Sequence, residues 1–311
     1  MTPANPAATA DPLRAHARTK SIVFAFFFLS GACGLIYEVV WMRLLGLFMG
    51  HTVHSVTTVL TAFMGGLALG SYLAGRIVDS PFGTRHPNRP LLIYGVLEAA
   101  IGLYCALLPH LIHAAEPLFQ AIYPLASDSF ELFNLLRFLV CGSLLLIPTT
   151  FMGATLPALS RYLVARQDTL GLTVGRLYAL NTFGAVLGSF ATGFLFIPAL
   201  GMRLTTYGAA LVNLAIALAV FILAQRKHPD DIHGLPRVPA PNPKSEIQNP
   251  KSSPPLPRPA AALILIAFAL SGFSAMVYQV AWTNALALVL GSSTYAFSLI
   301  VTAFIAGLAL G

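Results

Sequence analysis

Apolar residues in this chain fall into long, nearly unbroken runs, and the short stretches between them carry most of the charge. A helix needs about 20 such residues to cross roughly 30 Å of hydrocarbon, and the runs have that length. They predict spans over residues 21–48, 53–77, 91–112, 132–158, 174–197 and 203–225, then 260–289, and an eighth that begins at 294. The eighth is still apolar at Gly311, so the chain reads as a fragment that stops part-way through a second half. Half a span would leave backbone groups unpaired in lipid.

The stretches between runs give an orientation. Arg14, Arg18 and Lys20 precede the first run; Arg76, Arg85 and Arg89 follow the second; Arg161, Arg166 and Arg176 follow the fourth. The alternate stretches are poor in basic residues: 49–52 has none, and 113–131 holds Glu116, Asp128 and Glu131. The positive-inside rule then places the N-terminus and the segment after Gln225 in the cytoplasm. The basic start resembles a signal peptide. The run behind it continues too far for an h-region and contains Glu38 and Arg43, so it reads as a retained first span. Residues 226–259 are rich in proline and polar residues, repeat Asn-Pro-Lys-Ser at 242–245 and 249–252, and predict a disordered linker. The expected organisation is a tail over 1–20, a six-helix membrane half over 21–225, the linker over 226–259, and the start of a second half over 260–311.

Composition agrees with the pattern. Hydrophobic residues make up 57% of the chain and charged residues 9%, against about a quarter charged in soluble domains. The net charge of +7 is spread between spans rather than gathered in a patch, so nucleic acid is not an expected partner; the lipid bilayer is. Cys33, Cys105 and Cys141 lie inside apolar runs, so neither a disulfide framework nor a metal site is expected, and no cofactor is implied.

The chain repeats itself. LSGACGLIYEVVWMRLLGLFMG (29–50) lies over LSGFSAMVYQVAWTNALALVLG (270–291), and TAFMGGLALG (61–70) over TAFIAGLALG (302–311), at one shift of 241 residues with 17 identities in 42 positions. Six crossings separate the copies, so they run in the same direction, a parallel repeat. A fainter match sets Gly66, Gly70, Ser71 and Gly75 of the second span on Gly184, Gly188, Ser189 and Gly193 of the fifth. Those spans are three apart, so units related in this way would be inverted. Small residues at four-residue spacing also recur wherever membrane helices pack closely, and the spacing alone does not decide between the readings.

Charged groups in mid-membrane are costly and mark function or a structural ion pair. Glu38 lies near the middle of the first span and Glu98 near the middle of the third; Arg43 and Arg137 are the basic counterparts. Five residues separate Glu38 from Arg43, about 140° around the helix, so they do not face each other. One reading has Glu38 and Glu98 lining a cavity that binds an amine or relays a proton. The other is an ion pair such as Glu38 with Arg137, and the repeat fits it: Glu38 becomes Gln279 and Arg43 becomes Asn284, so both charges vanish together. Tyr37 and Trp41 share one face and return as Tyr278 and Trp282; they either stack on a cation or simply pack. Asn181 and Asn213, inside spans, are expected to bond between helices.

The blocks FFLSGACGLIYEVVWMRLLGLFMG, TAFMGGLALGSYLAGR, FMGATLPALSRYL and VGRLYALNTFGAVLGSF resemble the membrane region of bacterial fused major facilitator/spermidine synthases. That resemblance implies an all-α, major-facilitator-like bundle in the bacterial inner membrane, often joined to a soluble spermidine synthase-like domain. It also implies transport of a small cationic or polar solute, a polyamine being one candidate. The alternative is a non-transporting anchor, sensor or scaffold for an aminopropyltransferase. Nothing here reads as a strand followed by a glycine-rich nucleoside-binding turn, so any aminopropyl transfer would belong to sequence beyond Gly311, and no catalytic residue is assigned.

Overall fold

The computed structural model describes residues 12–49, 53–84, 86, 88–126, 129–164, 170–225, 257–291 and 293–310. The linker expected over 226–259 lies almost entirely outside them. Every described element is a helix: α1 Pro12–Met49, α2 Val53–Asp79, α3 Pro81–Thr84, α4 Arg89–Ala114, α5 Glu116–Ala126, α6 Phe130–Leu163, α7 Leu170–Ala191, a π-helical turn Thr192–Phe196, α8 Ile197–Gln225, α9 Arg258–Leu290 and α10 Ser293–Leu310. Helices satisfy their own backbone, which lipid cannot do.

Among the described residues six helical stretches are long and apolar enough to cross a membrane, and the shorter Thr294–Leu310 follows them. One of the six, Leu170–Gln225, has 56 residues. At 1.5 Å per residue it would measure about 84 Å, far more than one crossing. It holds the expected fifth and sixth spans, and the chain breaks between them at Gly201, where φ is 75° and ψ 169°. The left-handed φ suits glycine, whose lack of a Cβ removes the steric cost.

Helix α2 packs chiefly on α6, α1 on α7, and α4 on both α8 and α6. Exchanging α1 with α6, α2 with α7 and α4 with α8 turns the α1–α7 pair into the α6–α2 pair and leaves α4–α8 unchanged. Two inverted three-helix units pair in that way. The glycines make the correspondence specific. A Cβ on Gly66 would meet Thr149, and one on Gly70 would meet Thr150 and Ala154; a Cβ on Gly184 or Gly188 would meet Phe28 or Ala32 in the same manner. The small residues of α2 and α7 are therefore seats for α6 and α1, and Gly153-Ala154 of α6 stands where Gly31-Ala32 stands in α1.

Two prolines inside α6 show how spans tolerate lost backbone bonds. Pro148 has no N–H to give the Leu144 carbonyl, and Tyr104 of α4 donates its hydroxyl there at 3.0 Å. Pro157 likewise releases the Gly153 carbonyl, which accepts from Ser71 Oγ of α2 at 2.9 Å. Each freed acceptor is met by a neighbouring helix.

The second copy joins the first through α10, which packs on α7, while α9 touches α2. Thr294, Ser298 and Thr302 lie four residues apart on one face of α10. Arg43 Nη1 donates to Thr294 Oγ1 at 2.8 Å, Gly193 abuts Ser298, and the Ser189 and Thr302 hydroxyls bond at 2.8 Å. The α9 span leaves large apolar side chains exposed, Phe268 and Phe273 among them.

Candidate functional site

The polar centre of the six-helix half forms where α1, α4 and α8 meet. Helix α1 contributes Ser30 and, two turns on, Tyr37, and α4 and α8 bring Glu98 and Asn213 against them; Glu38 follows Tyr37 on the same turn. Ser30 Oγ donates to Glu98 Oε1 at 2.6 Å, and Asn213 Nδ2 donates to Glu98 Oε2 at 2.6 Å. The Tyr37 hydroxyl completes the chain, donating to Asn213 Oδ1 at 2.7 Å. Tyr37, Glu98 and Asn213 are all buried. Cys33 and Cys105 are free thiols buried in the same helices. Both oxygens of the Glu98 carboxyl are engaged, so this group ties three helices together.

Glu38 is placed differently. It is 1% exposed, and its Oε1 has no hydrogen-bond partner. Trp41, three residues on, is also 1% exposed, and its indole Nε1 is likewise unmet. The Trp41 ring stacks on Tyr37 at 5.7 Å with planes 15° apart, and Phe63 meets its edge at 6.5 Å. Aromatic neighbours on two sides hold the indole in one orientation.

The four residues expected to act together thus fall into two groups. Tyr37 and Glu98 belong to the bonded network; Glu38 and Trp41 end in unmet polar atoms. The expected ion pair between Glu38 and Arg137 does not form. Arg137 lies over the Phe133 ring at 4.4 Å, and Arg43 reaches Thr294, because the 140° offset from Glu38 aims it at α10. Asn181 and Asn213 both bond between helices, Asn181 Nδ2 donating to the Phe27 carbonyl at 2.9 Å.

Two participants were missed from sequence, Ser30 and Thr294. The duplication held a signal for Ser30, which recurs as Ser271 within the repeated LSG; Thr294 aligns with Val53 and gave none. In the second copy Gln279, at the place of Glu38, is 2% exposed and its Oε1 too is unmet, whereas Tyr278 and Trp282 are 62% and 60% exposed. The aromatic pair is therefore buried in one copy only.

Residues 21–311 match the family model of the Major Facilitator Superfamily. Among curated proteins, a polyamine aminopropyltransferase 2 of Streptomyces coelicolor is 30% identical over 208 residues, covering 65% of this chain and 34% of that protein. A polyamine aminopropyltransferase of Oceanobacillus iheyensis is 25% identical over 211 residues (68% and 37%), and one of Mycobacterium tuberculosis is 26% identical over 224 residues (68% and 38%). The chain spans about a third of the length of these curated relatives. No solved structure matches it. The family match and the relatives bear out the resemblance stated from the sequence.

Proposed function

Because the chain belongs to the Major Facilitator Superfamily, we propose that it is the membrane region of a transporter that moves a small cationic or polar solute by alternating access between its two halves. The bacterial inner membrane is its setting, with the N-terminus and the 226–259 linker on the cytoplasmic side, following the distribution of arginine and lysine. One observation carries the reading: among the described residues Glu38 is a mid-membrane carboxyl sealed among helices, with no ion pair and no hydrogen bond on Oε1. A purely structural charge in hydrocarbon finds a partner, as Glu98 does; a group kept for a visiting cation does not. The names of the relatives bring polyamines forward as one solute class.

A second reading draws on the same relatives. The chain matches only about a third of each, so the membrane region would serve, or simply anchor, an aminopropyltransferase domain. Proteoliposomes containing the purified protein separate the two. Radiolabelled amine should accumulate in exchange against unlabelled amine inside, and Glu38→Gln should abolish the exchange. Full exchange by Glu38→Gln removes that residue from the solute path, and no exchange of any amine by the native protein favours the anchor.

A further inference from the structure

Helices α1 and α7 run side by side in the same direction, since Gly184 abuts Phe28 and Gly188, four residues on, abuts Ala32. Towards their N-terminal ends a groove of about 660 Å³ lies between them. Its opening has a cause in the sequence. Ser21, Ala25 and Ala179 are small and exposed, and they stand where longer side chains would close the gap. Phe24, Phe28 and Leu180 supply apolar walls. Arg176 is the charged residue of the lining, one turn before Leu180 on α7. On α1, Arg18 stands three residues before Ser21 and Lys20 four before Phe24, so both border the groove one turn nearer its mouth. Helical side chains lean toward their own N-terminus, which carries all three basic groups to the same end. Glu38 is the one acid on α1 and α7 has none, so neither helix neutralises that end.

The inverted twin of this pair, α6 with α2, shows that the basic residues are not needed to seat the helices. Setting Gly153 on Gly31 and Gly66 on Gly184 puts Val140 at the place of Arg18, Gly142 at Lys20 and Thr58 at Arg176. The packing plan is kept and the charges are not.

We propose that the α1–α7 groove is a binding site for an anionic phospholipid, with one acyl chain against Phe24, Phe28 and Leu180 and the phosphate on Arg176. Charge complementarity decides the occupant. An uncharged helix or a bare acyl chain would use the apolar walls and leave the guanidinium without an anion; among the described residues no ion pair engages it. A guanidinium takes two phosphate oxygens at once. The stem of Arg176 packs along apolar surface while its head stays at the polar boundary, where a phosphate sits. Arg18 and Lys20 add to the attraction of that end for an anionic headgroup. The site uses α1 and α7 alone; only the leaflet that supplies the lipid, the cytoplasmic one, rests on the orientation proposed above.

The probe is dioleoyl phosphatidylglycerol, offered together with dioleoyl phosphatidylcholine to the purified full chain in detergent micelles. Native mass spectrometry counts the lipid retained. Micelles have no sides, so an error in orientation leaves this result untouched and is read separately from an N-terminal tag in spheroplasts. Phosphatidylglycerol should be preferred, and Arg176→Gln should cut the preference about fivefold, the share of one basic side chain at an anionic surface. Arg176→Lys should restore most of it. Ala179→Leu fills the groove from an exposed position and should lower retention of both lipids. Arg161, exposed at the same end of the bundle but outside the groove, is the control, and Arg161→Gln should leave the preference as it was. An equal loss in Arg161→Gln would reduce the effect to general attraction by a basic surface and overturn the site. So would an unchanged preference in Arg176→Gln, or undiminished retention in Ala179→Leu. No preference in the native protein would mean that something other than lipid covers the groove. Displacement of phosphatidylglycerol by an equimolar amount of glycerol 3-phosphate would assign Arg176 to a soluble phosphate and sink the lipid.

Discussion

Removing the Tyr104 hydroxyl tests whether a proline-released carbonyl inside a span depends on its neighbour. Pro148 leaves the Leu144 carbonyl without its helical N–H, and Tyr104 supplies the replacement at 3.0 Å. Tyr104→Phe keeps the ring and strands the carbonyl. Interhelical bonds measured in membranes average about 0.6 kcal/mol and reach about 1.7, while an unmet buried group costs about 1–3 kcal/mol. The two ranges meet near 1–1.5 kcal/mol, the expected loss. At roughly 2 °C per kcal/mol, the scaling for larger chains, Tm should fall by about 2–3 °C. Pro148→Ala restores an N–H to the same carbonyl, so adding Tyr104→Phe in that background should cost less than half as much. Unfolding can be followed in detergent with a thiol-reactive dye, because Cys33, Cys105 and Cys141 are free and buried until the helices part. An equal cost of Tyr104→Phe with and without Pro148 would refute the idea that the hydroxyl replaces the missing backbone donor.

Asn213→Ala strands both the Tyr37 hydroxyl and one Glu98 oxygen, and should destabilise by about 2–4 kcal/mol in the same assay, with strong non-additivity against Glu98→Ala. Gly70→Val should abolish the folded protein by size-exclusion chromatography, since its Cβ would strike Thr150 and Ala154, while Gly75→Ala, with open space around it, should elute as the parent does. Gly201→Ala should cost about 1–3 kcal/mol, the penalty of a side chain in a backbone region, φ 75° with ψ 169°, that is essentially glycine's alone, and would be seen as a lower unfolding temperature despite the free space at that site.

The spans were legible because a crossing needs about 20 apolar residues, a signal that no soluble packing imitates over so many runs. Even the break between the fifth and sixth spans was visible, although the helix resumes so soon after Gly201 that the two run together as one 56-residue stretch. The duplication was equally plain, since identities at one fixed shift need no structure to be seen. The bonded core was only half legible. Glu98 and Asn213 each announced themselves as polar groups in lipid, but 115 residues separate them and nothing local says that they meet. Glu38 and Glu98, expected to act together, differ in their bonding partners for a related reason. Helical period tells which residues share a face of one helix, not which neighbour that face receives. Pro148 and Pro157 could be read as gaps in a backbone ladder, while Tyr104 and Ser71, which fill them, sit on other helices and carry no mark of it.

The duplication also shows which parts of the join between halves are symmetric. Ser298 and Thr302 of α10 correspond to Thr57 and Thr61 of α2, and Arg43 of α1 to Asn284 of α9. On the α10 side the π-turn and α7 fill the space and meet the hydroxyls through Gly193 and Ser189. On the other side the same three positions, Thr57, Thr61 and Asn284, line a groove of about 850 Å³ between α2 and α9. The hydroxyl pair is thus retained in both copies, as expected of groups that seat a helix. The clasp from Arg43 to Thr294 is retained in neither partner, its counterparts being Asn284 and Val53. A charge kept in one copy and lost from the other, together with its acceptor, belongs to a contact that only one seam makes. Glu38 and Gln279 follow a different rule: the charge changes, but burial and the unmet oxygen persist in both halves.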